Sequence, residues 1–190
     1  VPVHAIPCAL SLSCSRFCSL SELLYESASE LAQHSMPRKP QIAVIGGSNP
    51  SAEVEGWAEE VGSLIAQHDA VVVCGGLGGV MAAAARGAAR NNGVSVGILP
   101  TYDVHTAAPG ISITVPTGLG HARNMLVIAS GDAVIALPGS SGTLSEIAFA
   151  LTLKKTVAAI RAWSHIEGVR VVQTPQDAVQ LALRAASGSA

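Results

Sequence analysis

The sequence predicts an α/β protein built on a doubly wound parallel sheet with helices on both faces. Two observations carry that expectation. Short apolar runs rich in Val, Ile and Ala alternate along the chain with stretches of helical period, the pattern of consecutive β-α-β units. Nearly half of the residues are apolar (49%) but only 3% are aromatic. The core must then be Ala, Val, Ile and Leu, as in a sheet buried on both sides. At 190 residues the chain suits one such domain with a sizeable core.

The pattern becomes regular at Gln41. Ile42–Ile45 is the first strand, closed by Gly46-Gly47-Ser48-Asn49-Pro50. From about Glu53 to Gln67, Trp57, Ala58, Val61, Leu64 and Ile65 recur on one helical face. Ala70–Cys74 is the second strand and Gly75-Gly76-Leu77-Gly78-Gly79 its turn. An alanine-rich helix follows over Val80–Asn91, with Gly93 as its stop. Val94–Leu99 and the short Ile111–Val115 are strands, and His121–Ser130 a helix. The strand Asp132–Leu137 passes through Pro138-Gly139-Ser140-Ser141-Gly142-Thr143 into a helix over Ser141–Leu153. Strands Val157–Ile160 and Val169–Val172 and a helix over Pro175–Ala186 close a Rossmann-like domain. In such sheets ligands sit at the carboxyl ends of the strands, at a topological switch point.

Residues 1–35 read differently. They are rich in Ser, Cys and Leu, lack glycine punctuation, and suggest only a helix from about Ser21 to Gln33. The expected domain is 36–190, with Met36 as its start and residues 1–35 an extension from an over-extended reading frame opening on a GTG codon. The rival, a targeting segment, is opposed by Glu22, Glu26 and Glu30.

Charge and composition narrow the function. A net charge of −2 with no basic run argues against a nucleic-acid partner. Apolar stretches are broken by Gly or Pro too early for a membrane span, so a soluble, cytoplasmic protein is expected. Cys8, Cys14 and Cys18 cluster early and Cys74 stands apart. Cys14-x-x-x-Cys18 with His4 is a poor zinc match, so no metal is expected and the cysteines read as reduced.

Glycine-rich turns follow three of the strands: Gly46-Gly47-Ser48, Gly75-Gly76-x-x-Gly79 and Pro138-Gly139-Ser140-Ser141-Gly142-Thr143. One alone is an ordinary tight turn, but three at one sheet edge can converge on one ligand. The last is the most telling, because it opens a helix. Helix-start N–H groups are unpaired and the macrodipole favours negative charge there. Gly139, Ser140, Ser141, Gly142 and Thr143 have little side chain to keep a phosphate away, and Glu146 follows one turn inside. None of these turns is a dinucleotide fingerprint or a Walker loop. A phosphorylated small molecule is the expected ligand.

At these residues the chain resembles a known family. Gly75-Gly76-x-x-Gly79-x-Met81, Ala122-Arg123-Asn124 and Pro138-Gly139-x-x-Gly142-Thr143-x-x-Glu146 are similar to the motifs of the LOG-like proteins, once labelled lysine decarboxylases. That superfamily includes cytokinin-activating phosphoribohydrolases and molybdenum cofactor carriers. Thr117-Gly118-Leu119-Gly120 and Leu144-Ser145-Glu146-Ile147-Ala148 look closest to the carriers. The resemblance implies binding of a nucleoside monophosphate or a pterin, with molybdenum cofactor as cargo and no cofactor required. It adds Thr117, Gly118, Arg123 and Asn124 to the ligand site and implies a homodimer or homotetramer. From the hydrolases it carries Arg123 and Glu146 as a catalytic pair, the carboxylate serving an oxocarbenium-like sugar and the guanidinium orienting the ligand. Ser140 stands where hydrolases carry glycine and Asn124 where they carry lysine, which puts the substrate in question. The decarboxylase label has no support, because Lys39, Lys154 and Lys155 lack a pyridoxal phosphate context.

Other residues have plainer readings. Asp132 suits a turn or cap, Cys74 a small buried hydrophobe, His121 an exposed helix start, and Met81 a close-packed helix face. Lys154 and Lys155 suit a helix end. Tyr102 is one of few aromatics that could cover a flat ring.

Overall fold

The computed structural model describes residues 38–188. The expected helix at 21–33, the start at Met36 and the Cys14, Cys18 and His4 grouping lie outside the described residues. From Gln41 onward the order is β1 (Gln41–Ile45), α1 (Ala52–Gln67), β2 (Val71–Cys74), α2 (Val80–Arg90), β3 (Val94–Leu99) and β4 (Ile113–Pro116). Then come α3 (Asn124–Ser130), β5 (Ala133–Ala136), α4 (Ser141–Thr152), β6 (Val157–Ile160), β7 (Val169–Val172) and α5 (Pro175–Ala186). The seven strands form one sheet in the order β4-β3-β2-β1-β5-β6-β7, every pair parallel. This is the doubly wound α/β fold that the alternation predicts.

The two-residue period of β1 assigns the layers. Ile42 and Val44 point into a core shared with Val61, Ile65, Ala84 and Val179, whereas Ala43 and Ile45 face Val127, Ile128 and Ile147. Helices α1, α2 and α5 thus cover one face, α3 and α4 the other. β1 lies between β2 and β5. The chain winds outward from β1 through β4, then returns to its other side, so the switch point falls between β1 and β5. Asp132 pins that junction: its carboxylate accepts from Gln41 N at 2.8 Å, and its own N–H donates to Gln41 O at 2.6 Å.

Three elements differ from the sequence reading. β4 begins at Ile113, not Ile111. Just before it Ser112 N donates to Ser95 O at 3.1 Å, and each serine N–H also donates to the other's Oγ at 3.1 Å. An irregular, hydroxyl-reinforced contact thus leads into the strand. β4 reaches Pro116, which an edge strand tolerates since its missing N–H is not needed by a neighbour. The helix expected over His121–Ser130 is instead a 3₁₀ turn, Gly120–Arg123, followed by the shorter α3. Past α2 the left-handed residue is Asn92 (φ 54°), with Gly93 N closing on Ala88 O at 2.9 Å. Lys155 caps a helix end as expected, but of α3 rather than of its own helix: its Nζ donates to the carbonyls of Ile128, Ala129 and Gly131. No helix among the described residues is long and apolar enough to cross a membrane.

Candidate functional site

Backbone contacts tie the three glycine turns together. Gly47 N donates to Pro138 O at 3.0 Å, and Val80 N donates to Gly47 O at 3.1 Å. Gly79 (φ 67°) rests against the backbone of Ser48, where a Cβ would stand 2.5 Å from the Ser48 carbonyl. A Cβ on Gly139 would be 2.9 Å from Gly47 N and 2.8 Å from Thr143 Cβ. The loops after β1, β2 and β5 therefore interlock at the carboxyl edge of the sheet.

The start of α4 lies between two cavities. One of about 460 Å³ is lined by Gly47, Ser48, Asn49, Pro50, Ser51, Val54, Pro138, Gly139 and Ser140. The other, about 430 Å³, is lined by His121, Ala122, Asn124, Ser141, Gly142, Ser145 and Phe149. Neither has a carboxylate, lysine or arginine on its wall. Ser51 and Thr174 cap α1 and α5 with their side chains, but Ser140, the N-cap of α4, makes no such bond. The first N–H groups of α4 are thus open to an outside acceptor, in the field of the helix dipole.

Arg123 and Glu146 line neither cavity. They are buried beside them, 7% exposed each, with Arg123 Nη1 at 3.6 Å from Glu146 Oε1. Arg123 Nη1 donates to Asn124 Oδ1 at 2.6 Å, Asn124 Nδ2 to Ser145 Oγ at 3.2 Å, and Ser145 Oγ to Gly142 O at 2.7 Å. One relay therefore runs from the guanidinium to the first turn of α4. The guanidinium is accommodated by a missing side chain: a Cβ on Gly75 would stand 2.7 Å from both Arg123 Cζ and Met81 Sδ. Arg123 Nε is buried with no hydrogen-bond partner.

Burial dominates the electrostatics. It raises the Glu146 carboxyl from 4.5 to about 7 although Arg123 pulls it down, and it lowers the Arg123 pKa against the pull of Glu146. A carboxyl in that range can hold or release a proton at neutral pH. Burial also raises the Cys74 thiol to about 11, so Cys74 packs as a protonated, fully buried side chain. No group of three or more His, Cys, Asp or Glu able to hold a metal occurs among the described residues.

The interlocked glycine turns, the open start of α4 and the buried Arg–Glu pair are arranged on one sheet edge, and family comparison agrees with their motifs. Residues 39–187 match the SLOG cluster4 family. The chain belongs to that LOG-like family. It is 31% identical to a cytokinin riboside 5′-monophosphate phosphoribohydrolase of Mycobacterium tuberculosis, over 68% of this chain and 74% of that one. Among solved structures it is similar to the molybdenum cofactor binding protein of Rippkaea orientalis, at 34% identity and a TM-score of 0.72, covering 76% of this chain and 96% of that one. It is also similar to the molybdenum cofactor carrier protein of Chlamydomonas reinhardtii, at 28% identity and a TM-score of 0.72, covering 79% and 99%.

In this SLOG protein Gly46, Gly47, Ser48, Gly75, Gly76, Gly79, Asn124 and Pro138 through Thr143 gather around the loops of β1, β2 and β5. Thr117 and Gly118 follow β4, on the β3 side of the sheet, where the Thr117 hydroxyl donates to Leu99 O at 2.7 Å. Gly118 (φ 66°) lies under the Tyr102 ring, where a Cβ would be 2.6 Å from Cε1. Two residues of this region carry no motif signal of their own: Ser145, which links Asn124 to Gly142 O between the motif residues Thr143 and Glu146, and Trp163, whose indole N–H donates to Leu137 O.

Proposed function

We propose that this protein binds a phosphorylated, nucleotide-like ligand at the carboxyl edge of its sheet and acts as a carrier of a pterin such as the molybdenum cofactor. The observation that carries the reading is the uncapped start of α4, with a cavity on either side. Its N–H groups and the hydroxyls of Ser48, Ser140 and Ser141 would take the phosphate, with the glycine loops of β1 and β2 lying close to the ligand. Tyr102, 80% exposed, would cover a flat ring from the β3 side. The ligand is cargo here, and its binding calls for no further cofactor. The similarity to cofactor-binding and carrier proteins supports this choice of cargo. A cytoplasmic homo-oligomer without a nucleic-acid partner completes the reading. Its oligomeric part is supported by α4, whose single charged residue, Glu146, is buried while Leu144 and Phe149 are exposed.

The buried Arg123–Glu146 pair favours a second reading, a phosphoribohydrolase acting on nucleoside 5′-monophosphates. Glu146 would stabilise the oxocarbenium-like sugar or take a proton from the water that adds to it. One experiment separates the two. Incubating the full chain with AMP is expected to give no free adenine, while AMP raises the melting temperature. Adenine release that disappears in both Glu146→Ala and Arg123→Ala would overturn the carrier reading in favour of the hydrolase.

A further inference from the structure

We infer that Trp163 is a positioning residue for the loop that opens α4, and that phosphate affinity depends on its indole N–H. The inference rests on the phosphate reading above but draws on residues outside it. Between β6 and β7, Arg161 (φ 48°) and Trp163 (φ 61°) both adopt the left-handed conformation, one that bulky side chains avoid unless their surroundings hold them there. What holds Trp163 is visible at its ring. Nε1 donates to Leu137 O at 3.0 Å, and the indole packs on the face of the sheet covered by α4, against the cluster of Ala136, Ile147 and Ala159.

The bonded carbonyl belongs to the residue that leads from β5 into the loop. Leu137 N is fixed by Ile45 O at 2.9 Å, and Pro138 O by Gly47 N at 3.0 Å. Trp163 supplies the remaining anchor, on Leu137 O between these two. With all three in place the peptide units from Leu137 to Gly139 have one orientation, and this sets the direction in which the chain enters α4. Removing the indole N–H leaves a carbonyl unpaired at a fully buried residue, a costly state that rotating the peptide would relieve. The rotation would re-aim the groups that take the phosphate.

The test is calorimetric binding of AMP and of ribose 5-phosphate to the full chain and to Trp163→Phe, with melting temperatures measured on both. The expected result is an affinity loss of about tenfold for both ligands, because the defect lies at the phosphate they share. Unchanged affinities beside a lowered melting temperature would overturn the inference and leave Trp163 a structural brace. Should Trp163→Phe fail to fold, the emission of Trp163 in Trp57→Phe decides. A shift on saturation with AMP is expected, and an unmoved spectrum at saturation overturns the inference. If the unmodified chain binds neither ligand, the phosphate reading falls and this inference with it. Binding by the unmodified chain with no loss in Trp163→Phe refutes the inference alone.

Discussion

Arg123 and Glu146 meet in the interior because residue 75 has no side chain, and burial there makes Glu146 a pH-sensitive group. Its carboxyl is raised from 4.5 to about 7 in the folded protein, chiefly by burial. Below the lower value it is protonated in both folded and unfolded chains and costs nothing. Between the two the unfolded chain releases the proton while the folded one keeps it, so stability falls as pH rises. Above about 7 the full cost is present and levels off. At about 1.4 kcal/mol per pH unit the loss is on the order of 3 kcal/mol at most. Glu146→Gln imitates the protonated form and should lose this dependence. Its melting temperature is expected to match the parent near pH 4.5 and to exceed it progressively up to about pH 7. Parallel curves for the two proteins across that range would show that the pair is not destabilised by burial. The motifs made both residues legible in the sequence as site members. That they bury each other beside the cavities was not legible, since it depends on space left at Gly75 by a strand far away in the chain. Trp163 escaped notice for the same kind of reason: its partner is a backbone carbonyl 26 residues earlier, and no side-chain pattern marks a carbonyl.

At the scale of elements, α1 and α2 cross with their backbones in contact. A Cβ on Gly62 would stand 2.8 Å from the carbonyl carbon of Ala84, and one on Gly87 2.8 Å from that of Glu59. Neither neighbour is a flexible side-chain tip, so the helices would have to separate. Gly56, on the same helix as Gly62, has nothing within 4 Å of that position. Opposite signs follow from one chemical change. Gly56→Ala should stabilise by about 0.5–1 kcal/mol through helix propensity. Gly62→Ala and Gly87→Ala should each destabilise by about 1–3 kcal/mol through overpacking. Urea titrations of the three variants check this, and stabilisation by Gly62→Ala would mean that the crossing is looser than described. The alternation of strands and helices was legible because the central strands β1, β2, β5 and β6 are mostly Val, Ile and Ala. The start of β4 was not, because the Ser95–Ser112 contact ahead of it mixes one backbone bond with two to side-chain hydroxyls. The 3₁₀ turn before α3 was hidden as well. Its residues continue the helical spacing, and the positive φ of Gly118 and Gly120 sets the chain's direction without altering that spacing.

At the scale of the whole molecule, α4 departs from the usual surface helix, whose outer face carries charge. Its only charged residue points inward, and Leu144 and Phe149 are 44% and 37% exposed, with Leu126 of the neighbouring α3 at 39% and Leu153 just past the helix at 38%. Phe149 also forms part of the wall of the cavity shared by His121, Asn124 and Ser145. If two copies pair through these helices, as proposed, the second copy covers the apolar face and closes that cavity from outside. Association and ligand affinity should then be linked, because a ligand that binds only the closed cavity favours the paired state. Sedimentation velocity on the full chain is expected to show an oligomer at micromolar concentration. Leu144→Glu with Phe149→Glu, placing two carboxylates at the centre of the pairing face, should yield a folded monomer that binds AMP at least several-fold more weakly. A parent chain that sediments as a monomer at every concentration would refute the pairing. A monomeric double variant with full AMP affinity would show that pairing is real but that each copy's site is complete without its neighbour.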